Sequence, residues 1–262
     1  MKTSAMLRLQ TLTLRNNEAH ERFSNLNSMD STQNLTTSKR AGWCRILSSV
    51  ATTESVEQTL MTPLEKGFKD SPEILRYLES HKQDEMRHHE TLNRYLKNTF
   101  HYVKLKRTLS DQIIYDLALP QIAKLFQYKP IYGLSMLLFF EIYGIAFYKT
   151  FRAQARADQL PELAHIVQLI EKDELRHLSG LDTLYSYSLS VHGPCSWFDR
   201  KIILWFLKIL VLDVNMSRWA FHNRKVRAHA MKAGLDPDVL TKGAYSAARE
   251  VCKRMTQKEA LC

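Results

Sequence analysis

The sequence predicts an all-α protein. Glycine (8) and proline (7) are scarce for 262 residues, which disfavours turn-rich β folds. From residue 41 onward apolar residues recur at helical spacing, and no run of alternating β-branched residues competes. Hydrophobic residues make up 45% and charged residues 24%, enough to bury a sizeable core.

Taken in order, residues 1–40 are rich in Ser, Thr and Asn with weak periodicity and are expected to be a flexible N-terminal arm. The first seventeen hold Arg8 and Arg15 and no acid, a faint organelle-targeting character, without the apolar core of a secretion signal. A first helix is expected over 41–61, with Pro63 near its end. A second begins at Ser71-Pro72, an N-cap followed by proline at N1, and runs to about 98. Residues 108–128 suggest a crossover helix interrupted at Pro120. A third main helix follows Pro130 to about 157, and Pro161 opens a fourth to about 191. His192-Gly193-Pro194 marks a loop. Residues 196–232 are expected as one long apolar helix, and Asp236-Pro237 caps a final amphipathic one. The expected organisation is an arm over 1–40, a four-helix bundle over 41–191 and a helical extension over 192–262 packed on it.

The net charge of +10 suits a nucleic acid, an anionic membrane or an acidic protein partner, but no aromatic–basic recognition motif for nucleic acid is present. None of the four cysteines (44, 195, 252 and 262) forms a CxxC pair, so neither a thiolate metal site nor a disulfide framework is supported. Reduced thiols in a cytoplasmic setting are expected, with association to a membrane surface left open. No stretch is expected to reach the length of a membrane span. The nearest, IILWFLKILVLDV at 202–214, is short and carries Lys208 and Asp213, as a core or membrane-surface helix would.

The chemistry sits in a repeat. Residues 84–89 read DEMRHH and 173–178 read DELRHL. On a helix, Glu85 and His88 share a face, as do Glu174 and His177. Each pair can aim a carboxylate and an imidazole at one point. Each motif helix is preceded at a matched distance by another acid: Glu141 lies 33 residues before Glu174, and Glu54 lies 31 before Glu85. Glu141 is the lone acid of an apolar run from Ile131 to Phe147, where an unpartnered carboxylate is costly and a metal ion would explain it. Glu57, one turn from Glu54, is the alternative on that helix. His81 lies on the stripe of Glu85 and His88 and could be a third histidine ligand, a hydrogen-bond donor or a solvated side chain. His89 points about 100° away from His88 and is not expected to ligate. Glu171 is a further candidate one turn before Glu174.

Two helix pairs, each giving Glu and then Glu-x-x-His, resemble the ferritin-like di-iron or di-manganese carboxylate proteins over residues 41–191. The DExRH setting is similar to that of the oxygen-activating members: acyl carrier-protein desaturases, multicomponent monooxygenase hydroxylases and ribonucleotide reductase small subunits. The resemblance implies Glu54, Glu85, His88, Glu141, Glu174 and His177 as ligands of two iron ions, with Fe/Mn and Mn/Mn as alternatives. It implies that Asp84 and Asp173 accept the distal N–H of a ligating histidine on the other motif helix, with Arg87 and Arg176 balancing their charge. A histidine near His81's offset resembles the third ligand of di-iron N-oxygenases. There it lies on the second motif helix, where this chain has Ile170.

The implied activity is an O2-dependent oxidase or oxygenase performing hydroxylation, desaturation or N-oxygenation on an apolar or carrier-bound organic substrate. Tyr143 and Tyr148 are candidate radical sites, and Gly144 would leave room beside Glu141. A separate electron donor, an acidic carrier protein or a membrane surface, and a homodimer are the implied partners. Two other classes stay open: a metal-handling or peroxide-scavenging protein of ferritin or rubrerythrin type, and a helical scaffold without redox chemistry.

Overall fold

The computed structural model describes residues 2–19, 23, 32–102, 116–214 and 221–257. All regular structure among them is helical. Helix α1 spans Lys2–Ala19, α2 Thr37–Gly67, α3 Pro72–Phe100, α4 Leu119–Ala123, α5 Pro130–Ala157, α6 Pro161–His192, α7 Trp197–Val214, α8 Phe221–Lys232 and α9 Pro237–Gln257; a 3₁₀ turn over Lys124–Gln127 follows α4.

Helices α2 and α3 pack as one pair, α5 and α6 as another, and the pairs close a four-helix bundle through α3 on α6 and α2 on α5. Prolines set three of the four starts, at the first position of α3, α5 and α6, where the missing N–H has no intrahelical partner to lose. Helix α2 instead begins at Thr36, whose hydroxyl accepts from Lys39 N at 3.2 Å. It also runs past its expected end through Pro63 to Gly67. Leu60, Met61 and Leu64 are fully buried there, and their packing outweighs the ladder bond that Pro63 removes. Its N-terminal end is tied to the α5–α6 link: Trp43 Nε1 donates to Asp158 Oδ2 at 2.7 Å, and Lys39 pairs with Asp158 Oδ1.

The flexible arm expected over 1–40 is replaced, over Lys2–Ala19, by a helix lying on α3 and α6. Leu9 and Leu12 are buried in the same core as Leu60, Leu64 and Tyr77, and Arg8 donates to Ser179 Oγ at 2.7 Å. Two buried leucines one turn apart suffice once a groove exists to receive them. Much of the crossover expected over 108–128 lies outside the described residues; its later part is α4 and the 3₁₀ turn. The single helix expected over 196–232 is described as α7 and α8, on either side of residues 215–220, which lie outside the described set. Helix α9 packs on α5 and α7, and α8 packs on α2. Asp236 caps α9, its Oδ1 accepting from Asp238 N at 2.8 Å. Contrary to expectation, one described helix, α5, is long and apolar enough to cross a membrane. Most of that stretch is buried against the other helices, as befits the central helix of a bundle.

Candidate metal centre

The bundle brings Glu54 from α2, His81, Glu85 and His88 from α3, Glu141 from α5, and Glu174 and His177 from α6 to one place, all buried. They fall into two groups, each with ligand atoms within 4.8 Å of one another: His81, Glu85, Glu141 and His177 in one half, Glu54, Glu85, His88 and Glu174 in the other. Glu85 belongs to both, one oxygen toward each. Its Oε1 is 3.0 Å from His177 Nδ1 and 3.2 Å from His81 Nε2, and its Oε2 is 3.7 Å from His88 Nδ1. His81 Nε2 is 2.9 Å from Glu141 Oε1, and His177 Nδ1 is 3.7 Å from Glu141 Oε2. In the other half His88 Nδ1 lies 3.3 Å from Glu54 Oε2 and 3.7 Å from Glu174 Oε1.

These distances hide a shortage of hydrogen bonds. His81 Nε2, Glu85 Oε1, both oxygens of Glu141 and His177 Nδ1 are buried without a hydrogen-bonded partner. Five lone-pair or N–H atoms left this way would cost far more than a folded protein leaves unmatched. They lie within 4.8 Å of one another, close enough to share a cation, and oxygen with imidazole nitrogen suits iron or manganese.

Around this core the two motif helices support each other. His177 Nε2 lies 3.0 Å from Asp84 Oδ2, and His88 Nε2 lies 3.2 Å from Asp173 Oδ2. Each aspartate thus serves the histidine of the other helix, which places the proton on Nε2 and leaves Nδ1 turned to the centre. Arg87 pairs with Asp84 and lies 3.7 Å from Asp173; Arg176 pairs with Asp173 and lies 3.5 Å from Asp84. The result is a closed ring of two acids and two guanidiniums. Phe23 covers part of it, its ring 5.4 Å from the Arg87 guanidinium and 5.9 Å from the His88 ring, and its carbonyl accepts from Arg94 at 3.0 Å.

Burial and crowding divide the carboxylates. Burial and the Glu85 charge push Glu54 up to about 8. Burial and Glu141 raise Glu174, and burial and Glu85 raise Glu57. Burial opposes ionisation of Glu85 and Glu141 too, but His177, His81 and His88 around Glu85 hold it well below the usual range. Neighbouring Glu174 and the His177 and His81 rings hold Glu141 down to about 2. Burial works against charged imidazoles, yet Asp173 and Glu54 raise His88, while Glu141 and Asp84 raise His177.

Other candidates fall outside the two groups. Glu171 forms an ion pair with Arg152 at 3.0 Å, and Ile170 is apolar core. His89 turns its Nδ1 to the Ala51 carbonyl and its Nε2 to Asn93. Glu57 is buried beside Glu54 with its Oε2 unpartnered, so it lies against the cluster without entering either group. The Tyr148 hydroxyl donates to Glu54 Oε1, and the Tyr143 ring packs with Phe139 and Phe147. The sequence already marks Tyr148 as a candidate, and seven residues beyond Glu141 it lies on the same helical stripe. Gly144 sits beside Glu174, 3.5 Å from Oε2 to where a β-carbon would stand. Tyr77 is not among the residues the sequence singles out; its hydroxyl donates to the His177 carbonyl at 3.0 Å and fixes the turn that carries this clustered histidine.

Solved structures with this arrangement of helices are found among R2-like ligand-binding oxidases. The protein from Sulfolobus acidocaldarius matches with a TM-score of 0.68 at 16% identity, covering 94% of this chain and 90% of its own. A variant with an anaerobically reconstituted Mn/Fe cofactor matches with a TM-score of 0.70 at 13% identity, over 94% of this chain and 92% of its own. The chain has the ferritin-like fold. Another variant, with an aerobically reconstituted Fe/Fe cofactor, matches at 13% identity with a TM-score of 0.69, again over 94% and 92% of the two chains. No protein-family model and no curated protein matches the sequence. The ferritin-like fold accounts for the two helix pairs and for the interior position of the seven clustered side chains.

Proposed function

We propose that the protein is a di-metal oxidase that uses O2 to oxidise an organic substrate. The observation that carries this is the convergence of unpartnered, fully buried donor atoms from His81, Glu85, Glu141 and His177. The ligand set would be Glu54, Glu85, His88, Glu141, Glu174 and His177, joined by His81. It would take two iron ions or a manganese–iron pair; the Mn/Fe and Fe/Fe cofactors of the neighbouring R2-like oxidases support both. Bound there, a pair of reduced metal ions supplies the electrons that activate O2.

The protein's own residues do the rest. Glu85 presents an oxygen to each half and so fixes their separation. Asp84 and Asp173 hold the Nε2 protons of His177 and His88, which keeps Nδ1 free to donate. Tyr148 donates its phenol O–H to Glu54, orienting a carboxylate that burial and the Glu85 charge push toward protonation. Leu137, Leu138 and Phe139 beside Glu141 are fully buried and exclude water from that side. These apolar surroundings favour hydroxylation or desaturation of an apolar chain, free or carrier-bound, with N-oxygenation as the competing outcome. Reductant would come from a separate donor.

The test is metal content of anaerobically prepared protein, followed by rapid-mixing absorption after Fe(II) and O2. Two metals per chain with fast, stoichiometric O2 uptake support the proposal, and Glu141→Ala should lose both metal and uptake. Less than one metal per chain after reconstitution would sink it.

A further inference from the structure

Helix α7 is largely apolar on both its sides. One side buries Ile203, Phe206, Leu207, Leu210 and Val211 in the core it shares with α5 and α9. The other side should then be polar, as on any surface helix. Instead it exposes Trp197 (72%), Phe198 (64%), Trp205 (55%) and Ile209 (40%). Positions 198, 205 and 209 descend one stripe of the helix, and Lys201 and Lys208 stand on the same exposed side. Lys201 Nζ lies 5.4 Å over the Trp197 ring. Four large apolar side chains within thirteen residues form a patch, which monomeric proteins rarely leave in water.

The patch extends beyond the helix. Lys129 Nζ is 3.4 Å from Asp199 Oδ1, and the Tyr132 hydroxyl donates to the same oxygen at 2.6 Å. The exposed Tyr128 adjoins Lys129 in sequence, whose ammonium reaches the amino end of α7. Asp199 is the one acid of the helix between 197 and 211; it is buried and taken up by Tyr132 and Ser196. The exposed charges over that span are therefore positive, with Lys124 and Lys129 adding to them.

We propose that this face docks on an anionic lipid surface. Tryptophan and tyrosine favour the headgroup–acyl boundary, where the ring is buried and its polar edge stays wet. A helix apolar outward, with lysines among its aromatics, fits a layer of phosphates over hydrocarbon. Lysine is depleted from the centres of protein–protein interfaces, so its place amid the aromatics favours lipid over a second copy or another protein. On a membrane the lysine stems bury and their ammonium groups reach the phosphates. The inference rests on the surface alone and stands whether or not the interior centre takes metal.

The full-length protein is sedimented with vesicles of phosphatidylcholine alone and of phosphatidylcholine mixed with phosphatidylglycerol. Binding is expected to the mixed vesicles, weakening with salt, and not to the zwitterionic ones. Lys201→Gln with Lys208→Gln should weaken it about fivefold per charge removed. Trp197→Ala with Trp205→Ala should abolish it while circular dichroism stays unchanged. Three results would overturn the proposal: no sedimentation of the native chain, equal binding to both vesicles, or full binding by the tryptophan variant. A fourth is concentration-dependent dimerisation lost in that variant, which would assign the patch to a second copy.

Discussion

Exchanging Asp84 and Asp173 for asparagine, one at a time, asks whether each motif helix tunes the other. Asp84 Oδ2 stands 3.0 Å from His177 Nε2, and the Nδ1 of that ring serves the half with His81 and Glu141. Asp173 Oδ2 stands 3.2 Å from His88 Nε2, whose Nδ1 serves the half with Glu54 and Glu174. Asparagine keeps the volume but removes the charge that makes the imidazole a strong donor. Losing such a carboxylate costs about 10–100-fold in metal affinity, or about 1.4–2.8 kcal/mol. Because the pairing crosses between helices, Asp84→Asn should weaken only the His177 half and Asp173→Asn only the His88 half. Anaerobic titration with Mn(II) or Fe(II) against a competing chelator resolves the two binding steps. One step should shift in each variant, and a different one. Two unshifted steps, or the same shift of both steps in both variants, would refute the reasoning.

Three further expectations follow from the same geometry. His81→Ala removes an imidazole from the Glu141 half, and metal there should weaken at least as far as in Asp84→Asn; an unchanged two-step isotherm would return His81 to a packing role. In the metal-free protein, Glu54 is raised from the ordinary 4.5 to about 8, so its contribution to stability is full below 4.5 and lost as pH rises through about 8. Metal needs the carboxylate ionised, so loading should expel protons and tighten as pH rises over the same window. Calorimetry in buffers of different ionisation enthalpy reads the protons, and metal-free and loaded melting temperatures should slope oppositely with pH. Gly180→Ala would drive a β-carbon into the Tyr77 ring, whose hydroxyl holds the His177 carbonyl. Overpacking of this kind costs about 1–3 kcal/mol, and a chain of this size loses about 2–4 °C per kcal/mol. Thermal denaturation measures it, and an unchanged midpoint would show that Tyr77 has room to move.

Local pattern set much of this protein. The prolines at 72, 130 and 161 mark three helix starts because a residue without an N–H loses no ladder bond there. The i, i+3 spacing of Glu85 with His88 and Glu174 with His177 fixes each pair on one face whatever surrounds it. Glu141 stands out because an acid in an apolar run needs a partner. These are properties of a single helix, so they are legible in a linear sequence. What lies across a gap between helices is not. Glu54 and Glu57 share a face one turn apart, and the packing of α2 against α3 decides which one meets His88. His81 had three equivalent readings until α5 brought Glu141 within 2.9 Å of it. Residues 2–19 carry too weak a pattern to declare a helix, because two leucines become an apolar face only when α3 and α6 form the groove that buries them. Periodicity along the chain tells each side chain its direction; the crossing of one helix over another, set by the summed packing of the bundle, decides what it finds there.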